Sequence, residues 1–103
     1  MGEKAVTSRE VLVVAELRQV HDAEGLRVYQ EGARAQIARF GGVVLGRGGT
    51  SFEGSPPFER VLVQKWPSAE AFERWQNSDD YRPLRERRQR CADMRIAIVP
   101  VVG

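Results

Sequence analysis

Few side chains in this sequence can do chemistry, and they lie far apart along the chain. The single histidine, His21, stands beside Asp22. An imidazole titrates near neutral pH, so His21 reads either as a general acid or base or as an exposed loop residue. Glu53 can hold a proton for transfer, or it can pair with Arg47 or Arg60 and fix a strand kink. Tyr81 carries a hydroxyl that needs a partner if it is buried, and Arg47 can stabilise an anion. Tyr81, His21, Glu53 and Arg47 are therefore the catalytic candidates. Tyr29, Arg47, Trp66, Trp75 and Tyr81 are the candidates for a ligand pocket, because aromatic walls with a few polar groups suit small molecules. The competing reading makes the aromatics plain core, with Phe72 and Trp75 foremost.

Scarcity removes other chemistries. One cysteine, Cys91, cannot form an intrachain disulfide or a multi-cysteine zinc site, and one histidine leaves no His-rich metal site within a subunit. Cys91 sits at helical spacing from Leu84 and Arg88, which suits a small buried helix residue. No metal and no cofactor is expected. Gly46-Arg47-Gly48-Gly49 looks like a phosphate loop, but Ser51 stands where a dinucleotide fingerprint has its third glycine. The stretch also leads into strand-like sequence, so no helix N-terminus meets a phosphate there. A β-bulge or a close backbone approach is the plainer reading.

Sixteen Lys and Arg against fourteen Asp and Glu give a net charge of +2, too balanced for a general nucleic-acid binder. Fourteen of the sixteen cations are arginine, and Arg82, Arg85, Arg87, Arg88, Arg90 and Arg95 form one cluster. Beyond Tyr81 that cluster has no interleaved aromatics. Glu86 has ion-pair spacing to Arg82 and Arg90, so a solvated helical face or a subunit contact is expected, and no nucleic-acid partner. No apolar run approaches the roughly 18 residues of a membrane span, so the expected setting is cytoplasmic, away from membranes.

These residues must be positioned by regular elements. Residues 1–9 are polar and aperiodic, a flexible lead-in to one domain over residues 10–103. Val11 to Leu17 is a β-branched run of strand length. Asp22 offers a helix N-cap, and Leu26, Tyr29, Ala33, Ile37 and Phe40 recur at spacings of three and four until Gly41-Gly42 ends the helix. Val43-Val44-Leu45 opens a second strand, which Ser51-Phe52-Glu53-Gly54 is expected to continue up to the Ser55-Pro56-Pro57 turn. Arg60 to Trp66 alternates as a third strand, with Val61 and Val63 on one face. Ser68 caps a short helix that carries Ala71, Phe72 and Trp75 inward. Ser78-Asp79-Asp80 can start a further helical segment bearing Tyr81, Leu84, Arg88 and Cys91, with Pro83 in its first turn. Met94 to Val102 is a final strand that meets Pro100 near its end.

The order β-α-β-β-α(α)-β predicts an α+β, ferredoxin-like split βαβ fold with helices on one face of a four-stranded antiparallel sheet. The strands are apolar on both faces while the helices can cover only one. A sheet-to-sheet homodimer follows as the economical cover.

Several separated motifs then appear in order: Tyr29, Gly41-Gly42, Arg47-Gly48-Gly49, Glu53-Gly54, Arg60, Trp66-Pro67-Ser68, Trp75, Ser78, Tyr81, Leu84 and Arg87. With them the chain, from about Val11 to Ile98, resembles the DUF1330 family of small bacterial proteins of unknown function. The resemblance implies the fold of the dimeric α/β-barrel superfamily. That superfamily also holds cofactor-independent monooxygenases, muconolactone isomerases and haem-degrading enzymes, a spread from which fold alone selects nothing. The chain departs from the family pattern at Leu26, where an aromatic is frequent, and in its Ile98-Val99-Pro100-Val101-Val102-Gly103 close, which lacks an acid often found there.

Two readings stand at this point. In one, the protein is a cofactor-independent enzyme of the acid–base isomerase, cyclase or monooxygenase type, acting on a small metabolite in a closed pocket. In the other, it is a non-catalytic structural or ligand-binding homodimer. This second reading predicts a packed interior with no open space, and Glu53 paired to Arg47 or Arg60.

Overall fold

The computed structural model describes residues 9–102. Most of the expected lead-in, residues 1–8, thus lies outside the described residues. The elements run β1 (Val11–Val20), α1 (Ala23–Phe40), β2 (Val43–Gly48), β3 (Arg60–Trp66), α2 (Ala69–Gln76), α3 (Arg82–Cys91) and β4 (Ala92–Pro100). The strands form one antiparallel sheet in the order β2-β3-β1-β4, with the three helices packed on one face. This is the ferredoxin-like α+β fold expected from the sequence.

Local chemistry sets the boundaries. The Asp22 carboxylate accepts from the Gly25 backbone N–H at 3.0 Å and starts α1. The Ser68 hydroxyl oxygen accepts from Ala71 N–H at 3.1 Å and starts α2. Gly41, at φ 104°, closes α1 in the left-handed conformation. Gly42 follows for a different reason. A Cβ there would come within 2.6 Å of the Trp66 ring and 2.9 Å of Ile37 Cγ2, so α1 can turn into β2 this closely only without one. The third helix begins later than the Ser78-Asp79-Asp80 signal suggests. Those residues form a turn in which Ser78 Oγ accepts from Tyr81 N–H at 3.2 Å, and the helix proper starts at Arg82 with Pro83 in its first turn.

In β1 the odd positions Val11, Val13, Ala15 and Leu17 are buried beneath the helices. They pair with Trp66, Gln64, Leu62 and Arg60 on β3 and with Pro100, Ile98, Ile96 and Met94 on β4, so these residues share the helix-facing side. The opposite side carries Leu12, Val14, Val61, Val63, Ala97, Val99 and Val43, all half-buried or exposed in the single chain. That side is uncovered and largely apolar, as the strand patterns implied, with Glu16, Lys65 and Arg95 as its charged members.

Three expectations need correcting. The second strand ends at Gly48, and Ser51 to Gly54 lies in a loop. Positive φ angles at Gly48 and Gly49 (97° and 79°) turn the chain out of the sheet. The last strand is Ala92–Pro100, shifted toward the N-terminus because it leaves α3 without a loop. The Glu86 pairs do not form. Arg82 binds Asp79 at 2.9 Å instead, and among the described residues neither Arg82 nor Arg90 makes an ion pair with Glu86.

The Gly42 contact generates a test. Gly42→Ala is expected to lose about 1–3 kcal/mol in urea unfolding, because the new methyl overpacks the Trp66 ring. Gly46→Ala, where an added Cβ meets nothing within 4 Å, is expected to stay within about 0.5 kcal/mol of the parent. Equal stability of the two variants would contradict the close-packing account.

Candidate functional site

The helix-facing side is held by one aromatic block. Trp66 from β3 stacks on Trp75 from α2 with centroids 5.5 Å apart and planes at 17°. Phe72 meets both edge-on, at 5.4 and 6.0 Å, and Tyr81 leans on Trp75 at 4.4 Å. The ring nitrogens are satisfied: Trp66 Nε1 donates to Gln64 Oε1 at 2.7 Å and Trp75 Nε1 to Gln36 Oε1 at 2.9 Å.

Beside this block the layers do not fill. The facing side chains there include the small Ala15 of β1 and Ala33 of α1, and a cavity of about 210 Å³ remains. Its apolar wall includes Leu17, Ile37, Phe72, Trp75 and Met94, and its polar groups are Tyr29, Gln30, Arg34, Arg47, Arg60, Gln64, Gln76 and Arg88. No carboxylate and no imidazole lines it.

Arg47 reaches this space because β2 carries a bulge. Val44 pairs with Gln64 on the helix-facing side, and strict alternation from there would send Arg47 to the other face. The register shifts between Val44 and Gly46, leaving Leu45 as the extra residue, so Arg47 pairs with Leu62 and faces the helices. Arg60 lies two positions along β3 from Leu62, making the two arginines diagonal neighbours on one face.

A hydrogen-bonded chain runs behind the cavity wall. Tyr29 Oη and Tyr81 Oη are 2.8 Å apart, and Arg88 Nη1 donates to Tyr81 Oη at 2.8 Å. The guanidinium also lies over the Tyr81 ring, 5.9 Å from its centroid, with Arg85 at 5.5 Å. Tyr81 is fully buried, and among the described residues only Tyr29 Oη is placed to accept its proton. The two phenols therefore share one hydrogen bond, with Tyr29 at the edge of the cavity it lines and Tyr81 behind it. Burial pushes the Tyr29 phenol well above its ordinary value of 10.0, Tyr81 adds to the rise, and Arg88 opposes it. At neutral pH Tyr29 is a neutral phenol and not a base.

Of the residues singled out in the sequence, Tyr29, Arg47 and Trp75 line the cavity together. Trp66 and Tyr81 support it from behind as fully buried residues. His21 stands elsewhere, exposed at the β1–α1 junction, with Nε2 3.2 Å from Asp93 Oδ1. Glu53 is exposed in the loop after β2 and pairs with neither Arg47 nor Arg60. Cys91 is buried and free. Sequence reasoning left out Arg88 and Gln64. The signal for Arg88 was its place seven residues after Tyr81 on a helical stripe, and for Gln64 its place between Leu62 and Trp66 on the inward face of β3. Among the described residues no group of three His, Cys, Asp or Glu side chains gathers, and no helix is long and apolar enough to cross a membrane.

The family model for DUF1330, a domain of unknown function, matches residues 10–102, and the chain belongs to that family. No curated protein matches the chain. Among solved structures it is similar to a protein of unknown function from Rhodopseudomonas palustris, with TM-score 0.82 and 19% identity over 93% of this chain and 85% of that one. It is also similar to SnoaB, a cofactor-independent oxygenase from Streptomyces nogalater, with TM-score 0.69 and 15% identity over 92% of this chain and 95% of that one. A dimeric ferredoxin-like protein of unknown function from Thermobifida fusca gives TM-score 0.64 and 10% identity over 91% and 92% of the two chains. At these identities the likeness concerns the fold.

The raised phenol of Tyr29 has a stability consequence whose sign is fixed. The folded state favours the neutral phenol, so this contribution is whole below the unfolded value of 10.0 and is lost as pH rises beyond it. Urea unfolding is expected to show stability falling above pH 10, with a part due to Tyr29 of up to about 1.4 kcal/mol per pH unit. Tyr29→Phe should fall less steeply over the same range, and an identical decline in both proteins would contradict the assignment.

Proposed function

We propose that this DUF1330 member binds a small organic molecule in the cavity between the sheet and α1, working as a homodimer paired through the uncovered sheet face. The observation that carries the reading is the cavity itself. It is an apolar space of about 210 Å³ with polar groups at defined points, where a purely structural protein would be packed. An engineered apolar cavity of about 150 Å³ takes benzene, so this one suits a single aromatic ring with a substituent. The unpaired state of Glu53 with respect to Arg47 and Arg60 supports the same reading, since both arginines then remain available to a ligand.

The fold it shares with SnoaB, described as a cofactor-independent oxygenase, supports chemistry of that type over isomerisation. An isomerase would need a general base at the ligand, and no carboxylate or imidazole lines the cavity. A cofactor-independent oxygenase leaves the electrons to the substrate, which dioxygen oxidises; with no base at the cavity, that substrate enters already ionised. The protein then supplies an apolar pocket and anion-stabilising arginines.

The homodimer rests on the apolar side of the sheet, where Val43 and Val99 are 51% and 42% exposed and Leu12, Val14, Val61 and Val63 lie between them. The Thermobifida fusca protein of the same fold is described as dimeric, which supports the pairing.

Two measurements check this reading. Val44→Trp, at a cavity-lining and exposed edge position, is expected to fold normally and abolish binding of single-ring aromatics followed by calorimetry. Unchanged binding would place the ligand elsewhere. Val63→Asp puts a charge in the middle of the uncovered face and is expected to give a monomer by analytical ultracentrifugation. A parent protein that is already monomeric at micromolar concentration would contradict the homodimer.

A further inference from the structure

We infer that the ligand of this cavity is a small organic anion, a single-ring carboxylate, phenolate or enolate, held by Arg47 and Arg60 from the sheet and by Arg34 and Arg88 from the helices. The inference rests on the small-ligand reading and adds the charge and size of what binds.

Four of the residues lining the cavity are arginines, and none is an aspartate or glutamate. Elsewhere in the chain arginines meet carboxylates readily. Arg18 meets Glu16, Arg27 meets Glu24 and Glu31, Arg39 meets Asp80 and Arg82 meets Asp79. Among the described residues none of the four cavity arginines forms such a pair. Arg88 instead spends one N–H on the Tyr81 hydroxyl.

Uncompensated guanidinium groups around a space with apolar walls raise the potential inside it, because the walls screen poorly. A neutral ring compound would gain only apolar burial there. An anion of the same shape would add charge-assisted hydrogen bonds, and the planar fork of arginine matches a carboxylate.

The neutral groups agree with that sign. Gln64 is buried and its amide oxygen is taken by Trp66 Nε1, so its NH2 is the end left for the cavity it lines. Tyr29, kept a neutral phenol by burial, adds no negative charge to the wall. The Gln64 amide hydrogens suit an oxygen anion, and neither group repels one. The volume of about 210 Å³ suits one substituted ring, and the exposed Arg34, Val44 and Arg47 mark the side on which the space opens to solvent.

The test uses pairs that differ in charge and hardly in shape. Benzoate against benzamide and phenylacetate against phenylacetamide are titrated into the full chain at neutral pH, by calorimetry and by the joint fluorescence of Trp66 and Trp75. Each acid is expected to bind about tenfold or more tighter than its amide, a difference of about 1.4 kcal/mol. In the double variant Arg47→Gln, Arg60→Gln the ratio should fall to about threefold or less. Neither side chain belongs to the aromatic block, and circular dichroism checks that the variant folds. A nitrophenol, coloured only when ionised, should show its pKa lowered by about one unit on binding, the direction an adjacent cation imposes.

Amides that bind as tightly as the acids, or a ratio unchanged in the double variant, would overturn the anion assignment and leave the small-ligand reading intact. A nitrophenol pKa that rises on binding would do the same. If neither member of any pair binds, the small-ligand reading itself fails and the anion inference falls with it.

Discussion

Everything else in this structure depends on the aromatic block formed by Trp66, Phe72, Trp75 and Tyr81. It joins one strand to two helical segments, and its rings set how far the helix layer stands from the sheet. Large rings on one side and alanines on the other cannot be satisfied by one layer spacing. Trp66 and Trp75 fill the space between β3 and α2, while Ala15 and Ala33 cannot close the same gap between β1 and α1. The cavity is thus a geometric consequence of unequal side-chain size across one helix–sheet interface.

The same block fixes the chemistry at the cavity wall. Tyr81 is held by Trp75 on one side and by the arginines of α3 on the other, so its hydroxyl can reach only Tyr29 and Arg88. Two phenols and a guanidinium stand in series, joined by hydrogen bonds of 2.8 Å each. The positive charge of Arg88 is thereby brought against a buried hydroxyl without a carboxylate partner. That arrangement costs solvation, which the hydrogen bond and the ring contact offset in part. On β2 a single extra residue, Leu45, does comparable positioning by turning Arg47 inward.

Much of the fold was legible in the sequence because local physics specifies it. Asp22 and Ser68 act as caps, Gly41 takes the left-handed conformation, and alternation on β1 and β3 gives the inward and outward faces as read. The candidate site was legible in part. Tyr29, Arg47 and Trp75 were named, and the structure gathers them in one cavity. Arg88 was missed because a charged residue on a helix reads as solvated unless one knows that Tyr81, a turn and more away, is fully buried. Glu53 was overvalued because the glycines before it were read as strand, whereas their positive φ angles carry it out of the sheet. The cavity itself has no sequence signal, since it depends on which alanine faces which across the interface.

Unequal packing leaves a largely apolar space beside Ala15 and Ala33. A crystal of the protein pressurised with xenon tests for it, because xenon occupies apolar cavities without needing a specific chemical partner. A xenon site is expected between β1 and α1, touching Ala15, Ala33 and Trp75, with the aromatic block unmoved. A map with no xenon there, and with the helix layer closed until Ala33 meets Ala15, would contradict it.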